Sequence, residues 1–158
     1  MAGKPKRISE FTPEMYRQAA TEHMGSLQSL YDNEEFVLAA YVSGLAVECL
    51  FRAYRSRIGP EFESRHDLYE LSKEAKFADV VPAKSLAKYE SNLGVVATRW
   101  SNSHRYRTED ALRRLLKRRQ FDRRIKGDFL KENVRLMVSA SSDIVTLGAH
   151  VWTSKYGA

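Results

Sequence analysis

The sequence predicts an all-α fold, an up-and-down antiparallel bundle of four to five helices. Proline is absent between positions 13 and 60 and again after position 82, so that long helices can run without interruption. Apolar residues recur at three- and four-residue spacing, and β-branched residues never alternate with polar ones over a useful length. The intervals between these apolar stripes are short, which favours antiparallel neighbours.

The first two helices are predicted from their end signals. Thr12–Glu14 supplies an N-cap, a first-turn proline and a first-turn acid, and the apolar stripe behind it extends to about Tyr31. A second helix is predicted from about Glu34 to Arg57, where Gly59-Pro60 ends it. It is the most apolar segment and is therefore the predicted central helix. The stripe of the first helix comprises Met15, Ala19, Ala20, His23, Leu27 and Leu30.

The remaining helices follow from caps and apolar spacing. The segment 64–67 predicts an N-cap at Ser64 with a carboxylate three residues later, opening a short helix that reaches Ala75. A fourth helix begins at Pro82, a fifth is capped by Thr108, and a last one runs from about 129 to 152. Residues 101–107 are polar and turn-like, and 119–128 could be either helix or loop. The buried sides comprise Leu86, Tyr89, Leu93, Val96 and Ala97 in the fourth helix, and Ala111, Leu112, Leu115 and Leu116 in the fifth.

At 158 residues, the chain is predicted to form a single domain over residues 11–155, preceded by a flexible basic arm at 1–10. The arm lacks the hydrophobic region of a secretory signal, and the longest apolar run, Phe36–Phe51, is interrupted by polar residues. Cys49 lies within that run and is expected to be a buried, reduced thiol. We therefore expect a cytoplasmic protein without a membrane partner.

The positive charge is concentrated in one region. Residues 99–126 carry a net charge of +8, whereas the rest of the chain carries −2. Such asymmetry indicates a polyanionic partner, with nucleic acid first and an anionic membrane second, although a solvated helix face would look the same. The predicted RNA-binding residues are Arg105, Arg107, Arg113, Arg114, Lys117, Arg118, Arg119, Arg123 and Arg124.

Most enzyme classes lack their usual signals in this chain. There is no HExxH or CxxC spacing, so no metal site is predicted, and no glycine-rich phosphate loop or GxSxG nucleophile elbow is present. His23 and His150 lie on apolar helical faces and are expected to be hydrogen-bonded core or interface residues. No cofactor is predicted.

The segment Arg99–Arg107 carries the most distinctive chemistry. Arg99 could hold a phosphate with its planar guanidinium, His104 could move a proton near neutral pH, and Tyr106 adds a phenol. On a continuous helix, positions five apart point about 140° away from each other. The guanidinium and the imidazole therefore converge only if the helix ends between them, for which 101–103 is suited, or if a second copy supplies a partner group. Trp100 is expected to pack into the bundle and fix the turn; the alternative is an ordinary basic turn.

A second candidate cluster lies on the central helix. Ala40, Gly44, Glu48 and Arg52 fall at four-residue steps, and the two small residues permit close approach of another helix. A buried Glu48 carboxylate needs a partner, either Arg52 or, in a structural or functional role, Arg99 or Arg105. His66 and Asp67 are explained by helix capping, with a catalytic His–Asp pair as the less favoured alternative.

Three stretches resemble the HEPN domain family, small helical bundles often encoded beside a minimal nucleotidyltransferase. Ala39–Ala53 is similar to the small-residue, Glu-containing central helix of that family, and His66–Leu68 to the H-D-L opening of its next helix. Arg99-x4-His104-x-Tyr106 fits the R-x4-6-H motif of the ribonuclease members, in the RX4HXY form of HEPN toxins. The likeness spans roughly residues 34–107.

The resemblance implies a homodimer whose two motifs face a shared cleft and cleave RNA without a metal. Arg99 and His104 would be the catalytic pair, with Tyr106 as the position that a cognate nucleotidyltransferase can modify with AMP, and with Glu48 and Asn102 in support. Trp100 stands where active members commonly carry a polar residue. Two functions are therefore predicted: a HEPN endoribonuclease, as a candidate toxin, or a noncatalytic HEPN-like module that binds nucleic acid, a nucleotide or a protein partner. A purely structural dimer is a third.

Overall fold

The computed structural model describes residues 8–60 and 65–157, and over these residues the regular secondary structure is all helical, without a β-strand. The predicted all-α class is confirmed. The α-helices in the described ranges are α1 (Pro13–Asp32), α2 (Phe36–Ile58), α3 (Leu68–Glu74), α4 (Phe77–Val80), α5 (Ala83–Arg99), α6 (Glu109–Arg118) and α7 (Phe129–Tyr156), with a 3₁₀ helix at Asn102–Tyr106 between α5 and α6.

Side-chain caps begin four of these helices, as short polar residues before an apolar stripe predict. Thr12 and Thr108 each accept a hydrogen bond from the backbone N–H three residues later, at 3.2 Å. Asp67 and Asp128 each accept two such bonds, from the N–H groups two and three residues later. The prediction that the third helix opens around Ser64 is corrected, because Asp67 is the cap and Ser64 itself lies outside the described residues.

Helix α2 is the centre of the bundle, as its apolar composition predicts. It packs along α1, to which the short turn 33–35 joins it as an antiparallel hairpin, and against α7; α5 in turn packs on α7. Contrary to the sequence analysis, α2 is long and apolar enough by length and composition to cross a membrane. About 78% of its most apolar window is buried inside the bundle, so burial in the core accounts for that composition.

Several details differ from the sequence prediction. The one-turn helix α4 and the 3₁₀ helix were not predicted, because segments of four or five residues carry no periodic signal. In α1 the buried face is Tyr16, Ala20 and Leu27, whereas Met15 is half exposed. Residues 119–128, for which the sequence left helix and loop open, form a loop, in which Gln120 and Arg124 adopt left-handed backbone conformations with φ of 65° and 62°. The HEPN-like arrangement of the bundle stays a prediction.

The close approach expected at Gly44 is made by a side chain rather than by a helix backbone. The indole of Trp100 packs against Gly44 so tightly that a Cβ at this glycine would overlap it, and the indole N–H donates to the carbonyl oxygen of Tyr41 at 2.9 Å. Trp100 is 6% exposed. The prediction that Trp100 packs into the bundle is confirmed, and its contact with α2 holds the end of α5 in place.

The predicted arm at 1–10 lies partly outside the described chain, which begins at residue 8. Ser9 is tied to the bundle: its N–H donates to the carbonyl oxygen of Pro60 at 3.2 Å, and its hydroxyl lies 2.6 Å from that of Tyr16. Cys49 is a buried free thiol, as predicted. Burial, with the nearby Glu48 carboxylate, raises the pKa of this thiol to about 12, so it is protonated at neutral pH.

Candidate functional site

The turn between α5 and α6 brings the sequence motif into a defined geometry. Helix α5 ends at Arg99, just before the 101–103 segment in which the sequence predicts a helix end, and Trp100 takes an extended conformation. Ser101 caps the following 3₁₀ helix by accepting from the N–H of Ser103 at 3.2 Å. The chain changes direction at this turn, so that the His104 side chain lies against the C-terminal end of α5.

Both ring nitrogens of His104 are used inside the protein. The side chain is fully buried, with Nε2 2.8 Å from the carbonyl oxygen of Arg99 and Nδ1 3.2 Å from Nε of Arg107. An arginine Nε–H only donates, so Nδ1 is the acceptor and Nε2 carries the proton. Burial is the main cause that lowers the pKa of His104 to about 4; the cations Arg107 and Arg119 add to it, against the hydrogen bond to Arg99. The imidazole is therefore neutral and without a free nitrogen at neutral pH.

The guanidinium of Arg99 lies against α7 and the 119–128 loop. Its Nε donates to Oδ1 of Asn133 at 2.8 Å, one terminal nitrogen donates to the carbonyl oxygen of Val95 at 3.2 Å, and its carbon lies 4.0 Å from the Phe121 ring centroid. Burial lowers the pKa of this guanidinium. The prediction that this group and the His104 imidazole meet over a common phosphate-sized hollow is corrected: within the described chain, His104 contacts the backbone of Arg99 instead.

Asn133 is a positioning residue that the sequence analysis missed. It is fully buried in α7, and its amide donates to the carbonyl oxygens of Phe121 and Phe129 at 2.9 and 2.7 Å while its oxygen accepts from Arg99. It therefore fixes both the loop and the arginine. The available signal was an asparagine among the apolar residues of α7, since a buried amide must be hydrogen-bonded.

Tyr106 is placed apart from the two motif residues. Its side chain is 77% exposed, and the guanidinium carbon of Arg105 lies 4.7 Å from its ring centroid. The predicted triad of Arg99, His104 and Tyr106 is thus not gathered at one point. Its members lie respectively against α7, inside the turn and on the surface.

The predicted RNA-binding residues divide into two groups. Three have internal roles: Arg113 binds Glu109 and Asp128 at 3.1 and 2.9 Å, Arg107 holds His104, and Arg119 donates to the carbonyl oxygen of Thr98 at 2.9 Å. Hydrogen bonding to Asp128 raises the pKa of Arg113, whose charge is neutralised locally. The others are exposed, and within the part of the chain that the structure describes no acidic group forms a salt bridge with them: Arg105, Arg114, Lys117, Arg118, Arg123 and Arg124.

Glu48 pairs with His66 and Arg52, and not with the arginines of the turn. Its side chain is 7% exposed; one carboxylate oxygen lies 2.6 Å from Nδ1 of His66 and the other 3.6 Å from Nε of Arg52. The predicted pairing with Arg52 is confirmed. The alternative partners Arg99 and Arg105 form no hydrogen bond or salt bridge with Glu48 within the described residues.

His66 borders a groove that also contains the predicted supporting residue Asn102. This His66 groove, of about 380 Å³, lies between the start of α3 and the ends of α5 and α6. Its polar lining comprises His66, Asp67, Tyr69, Ser101, Asn102 and Arg119. No group of three or more histidine, cysteine or carboxylate residues suited to a metal ion occurs in the described ranges 8–60 and 65–157.

Comparison with known proteins supplies no family: no family model, curated protein or solved structure matches this chain. The HEPN resemblance therefore stays a prediction from sequence motifs.

Proposed function

We propose that this protein is a noncatalytic module that binds single-stranded RNA through one basic face. The observation that carries the proposal is a set of exposed cations without acidic partners, located on and around α6 and next to an exposed tyrosine. The basic face is defined as Arg105, Tyr106, Arg114, Lys117, Arg118, Arg123 and Arg124.

Cations that are not neutralised within the protein are available to phosphates. Binding then releases counterions from the nucleic acid, which supplies most of the affinity and makes it fall with salt. The ion pairs of Arg113 with Glu109 and Asp128 illustrate the contrast, since that guanidinium is already satisfied. The surface cations of α6, Arg114 and Lys117, form no salt bridge in the described chain and remain available to a strand.

Tyr106 favours a single strand over a duplex. An exposed aromatic ring beside arginines is a stacking platform for an unpaired base, and such stacking contributes about 1–3 kcal/mol per base. The guanidinium of Arg105 lies over one face of this ring, 4.7 Å from its centroid, so a base would stack on the opposite face. RNA is favoured over DNA by the sequence resemblance.

The state of His104 favours binding without cleavage. A general base must present a nitrogen to the proton that it removes, and both nitrogens of this imidazole are engaged within a fully buried turn. The ribonuclease activity, the homodimer and a cognate nucleotidyltransferase stay predictions. The exposure of the Tyr106 hydroxyl leaves it accessible to a modifying partner.

The test is the salt dependence of RNA affinity, measured by fluorescence anisotropy with a short single-stranded RNA between about 50 and 200 mM salt. Each cation that neutralises a phosphate contributes a slope of about −0.7 in log affinity against log salt for a single strand. Arg114→Gln combined with Arg118→Gln should reduce the slope by about 1.4. Tyr106→Ala should weaken binding by about 1–3 kcal/mol with little change in slope.

Lys155→Gln provides the matched control. It removes one exposed charge near the end of α7, about 40 Å along that helix from the loop that carries Arg123 and Arg124. Its slope should equal that of the unsubstituted protein. A salt-insensitive affinity would contradict the proposal. Cleavage of RNA in EDTA by the unsubstituted protein, lost in His104→Ala, would restore the ribonuclease prediction instead.

A further inference from the structure

The His66 groove contains a histidine whose orientation is fixed by a buried carboxylate. Glu48 is 7% exposed and lies 2.6 Å from Nδ1 of His66, whose own side chain is 45% exposed. A carboxylate only accepts hydrogen bonds, so Nδ1 carries a hydrogen and its N–H donates a hydrogen bond to Glu48. Nε2 on the other side of the ring has no hydrogen-bond partner within residues 8–60 and 65–157, and it is left for a ligand.

Two further donors line the same groove. One terminal nitrogen of Arg119 donates to the carbonyl oxygen of Thr98, which fixes the side chain, while its other N–H groups make no hydrogen bond within residues 8–60 and 65–157. The side-chain amide of Asn102 is half-buried and makes no hydrogen bond within the described chain. The groove thus combines a cation, an amide and an imidazole nitrogen in a volume typical of small-ligand sites, which span about 300–1,000 Å³.

We propose that the His66 groove binds a phosphate monoester, with Arg119, Asn102 and Nε2 of His66 each contacting a phosphate oxygen. A monoester offers three terminal oxygens for these three groups, whereas an internal phosphodiester offers only two. Because the Nδ1–H of His66 is bound to Glu48, Nε2 can accept a hydrogen bond from the protonated oxygen that a phosphate monoester retains in its monoanionic form. A diester has no such proton near neutral pH.

Asp67 limits which anions fit, because its carboxylate also borders the groove. One of its oxygens is occupied by the N–H groups of Tyr69 and Glu70, at 2.9 and 3.2 Å. A ligand must therefore offer enough hydrogen bonds to outweigh this negative charge. A monoester carries more negative charge than a carboxylate or a diester, so its three hydrogen bonds must also offset a stronger repulsion from Asp67.

The monoester has two chemical sources: a free nucleotide or the terminal phosphate of an RNA. Arg119 directly follows Arg118 of the basic face, so a strand bound there could place its end in the groove. The second source rests on the proposed function, whereas the first does not.

The experiment compares four ligands by competition: a short RNA with a 5′-phosphate, the same RNA with a 3′-phosphate, the same RNA with neither, and a nucleoside monophosphate. The protein should prefer one phosphorylated RNA over the unphosphorylated one by about tenfold, which corresponds to about 1.4 kcal/mol. If instead the mononucleotide competes and the three RNAs bind equally or not at all, the groove binds a free nucleotide; failure of the RNAs to bind would then refute only the proposed function.

Arg119→Gln and Asn102→Ala should each reduce the ratio of the affinities for phosphorylated and unphosphorylated RNA to about one. Asn102→Ala removes an amide on which no hydrogen bond of the described fold depends. Arg118→Gln is the matched control and should weaken all RNAs equally without changing the ratio. Circular dichroism verifies that each variant is folded. Equal affinity for all three RNAs, with no change in the His66 NMR signals on addition of millimolar mononucleotide, would overturn the inference.

Discussion

Acid should destabilise this fold through His104, because the folded protein keeps that imidazole neutral. The perturbation is a decrease in pH from 7 to about 4.5, applied to the unsubstituted protein and to His104→Gln. Glutamine supplies one donor and one acceptor for Arg99 and Arg107 but does not titrate. The comparison separates the contribution of His104 to the loss of stability in acid from that of the carboxylates, which lose their ion pairs when they are protonated.

The magnitude follows from the two pKa values of His104, 6.5 for an ordinary histidine and about 4 in the folded protein. Between these values the unfolded chain binds a proton that the folded chain does not, so the free energy of unfolding decreases as the pH falls through this window. The full effect below pH 4 is about 3 kcal/mol, at 1.36 kcal/mol per pH unit, and most of it is expressed by about pH 4.5. At pH 7 the contribution is close to zero.

The assay is urea unfolding followed by circular dichroism at both pH values. His104→Gln should be less stable by about 1–3 kcal/mol at pH 7, since a shorter amide makes poorer hydrogen bonds in a buried site, but its additional loss in acid should be smaller by about 3 kcal/mol. His150→Gln, at an exposed histidine, is the control and should behave like the unsubstituted protein. Equal acid losses in the unsubstituted protein and in His104→Gln would refute the assignment of His104 as a neutral, buried structural residue.

Two packing predictions concern α2, and both are measured by the free energy of unfolding. Gly44→Ala should destabilise the fold by about 1–3 kcal/mol because the added Cβ overlaps the Trp100 indole. Gly25→Ala is the control: this glycine has open space around it, so the substitution should stabilise α1 by about 0.5–1 kcal/mol. Equal effects of the two substitutions would contradict the packing at Trp100. Glu48→Gln should cost about 3 kcal/mol or more because it breaks the buried ion pair with Arg52 and weakens the hydrogen bond from His66, whereas Glu132→Gln, which breaks an exposed pair, should cost less than about 1 kcal/mol. A loss of less than 1 kcal/mol in Glu48→Gln would show that the buried pair is dispensable.

The fold was largely predictable because its signals are local. Caps such as Thr12 and Thr108, the terminator at Gly59 and the apolar periodicity of α2 act within one or two turns of helix, and the structure bears each of them out. The segment 119–128 was not predictable for the same reason. Its path depends on the amide of Asn133, which is distant in sequence and binds the carbonyl oxygen of Phe121.

The candidate site was predictable in part. The sequence identified Glu48 as a carboxylate in need of partners and Tyr106 as a residue of a polar turn, but it could not decide which way His104 would face. That choice depends on the exact residue at which α5 ends and on the Arg99 carbonyl that this ending leaves unpaired. Orphan carbonyls at a helix end take the nearest donor, and here that donor is the imidazole.

By itself the sequence determined the helical class, most helix boundaries and the concentration of positive charge between residues 99 and 126. The tertiary structure alone decided which groups are free to act: it buries His104 and, within the residues that the structure describes, leaves Nε2 of His66 without a hydrogen-bond partner in the groove that Arg119 also lines. The physical reason is that periodicity and capping are short-range properties of the chain. The availability of a donor or acceptor, in contrast, is set by whatever the fold packs against it.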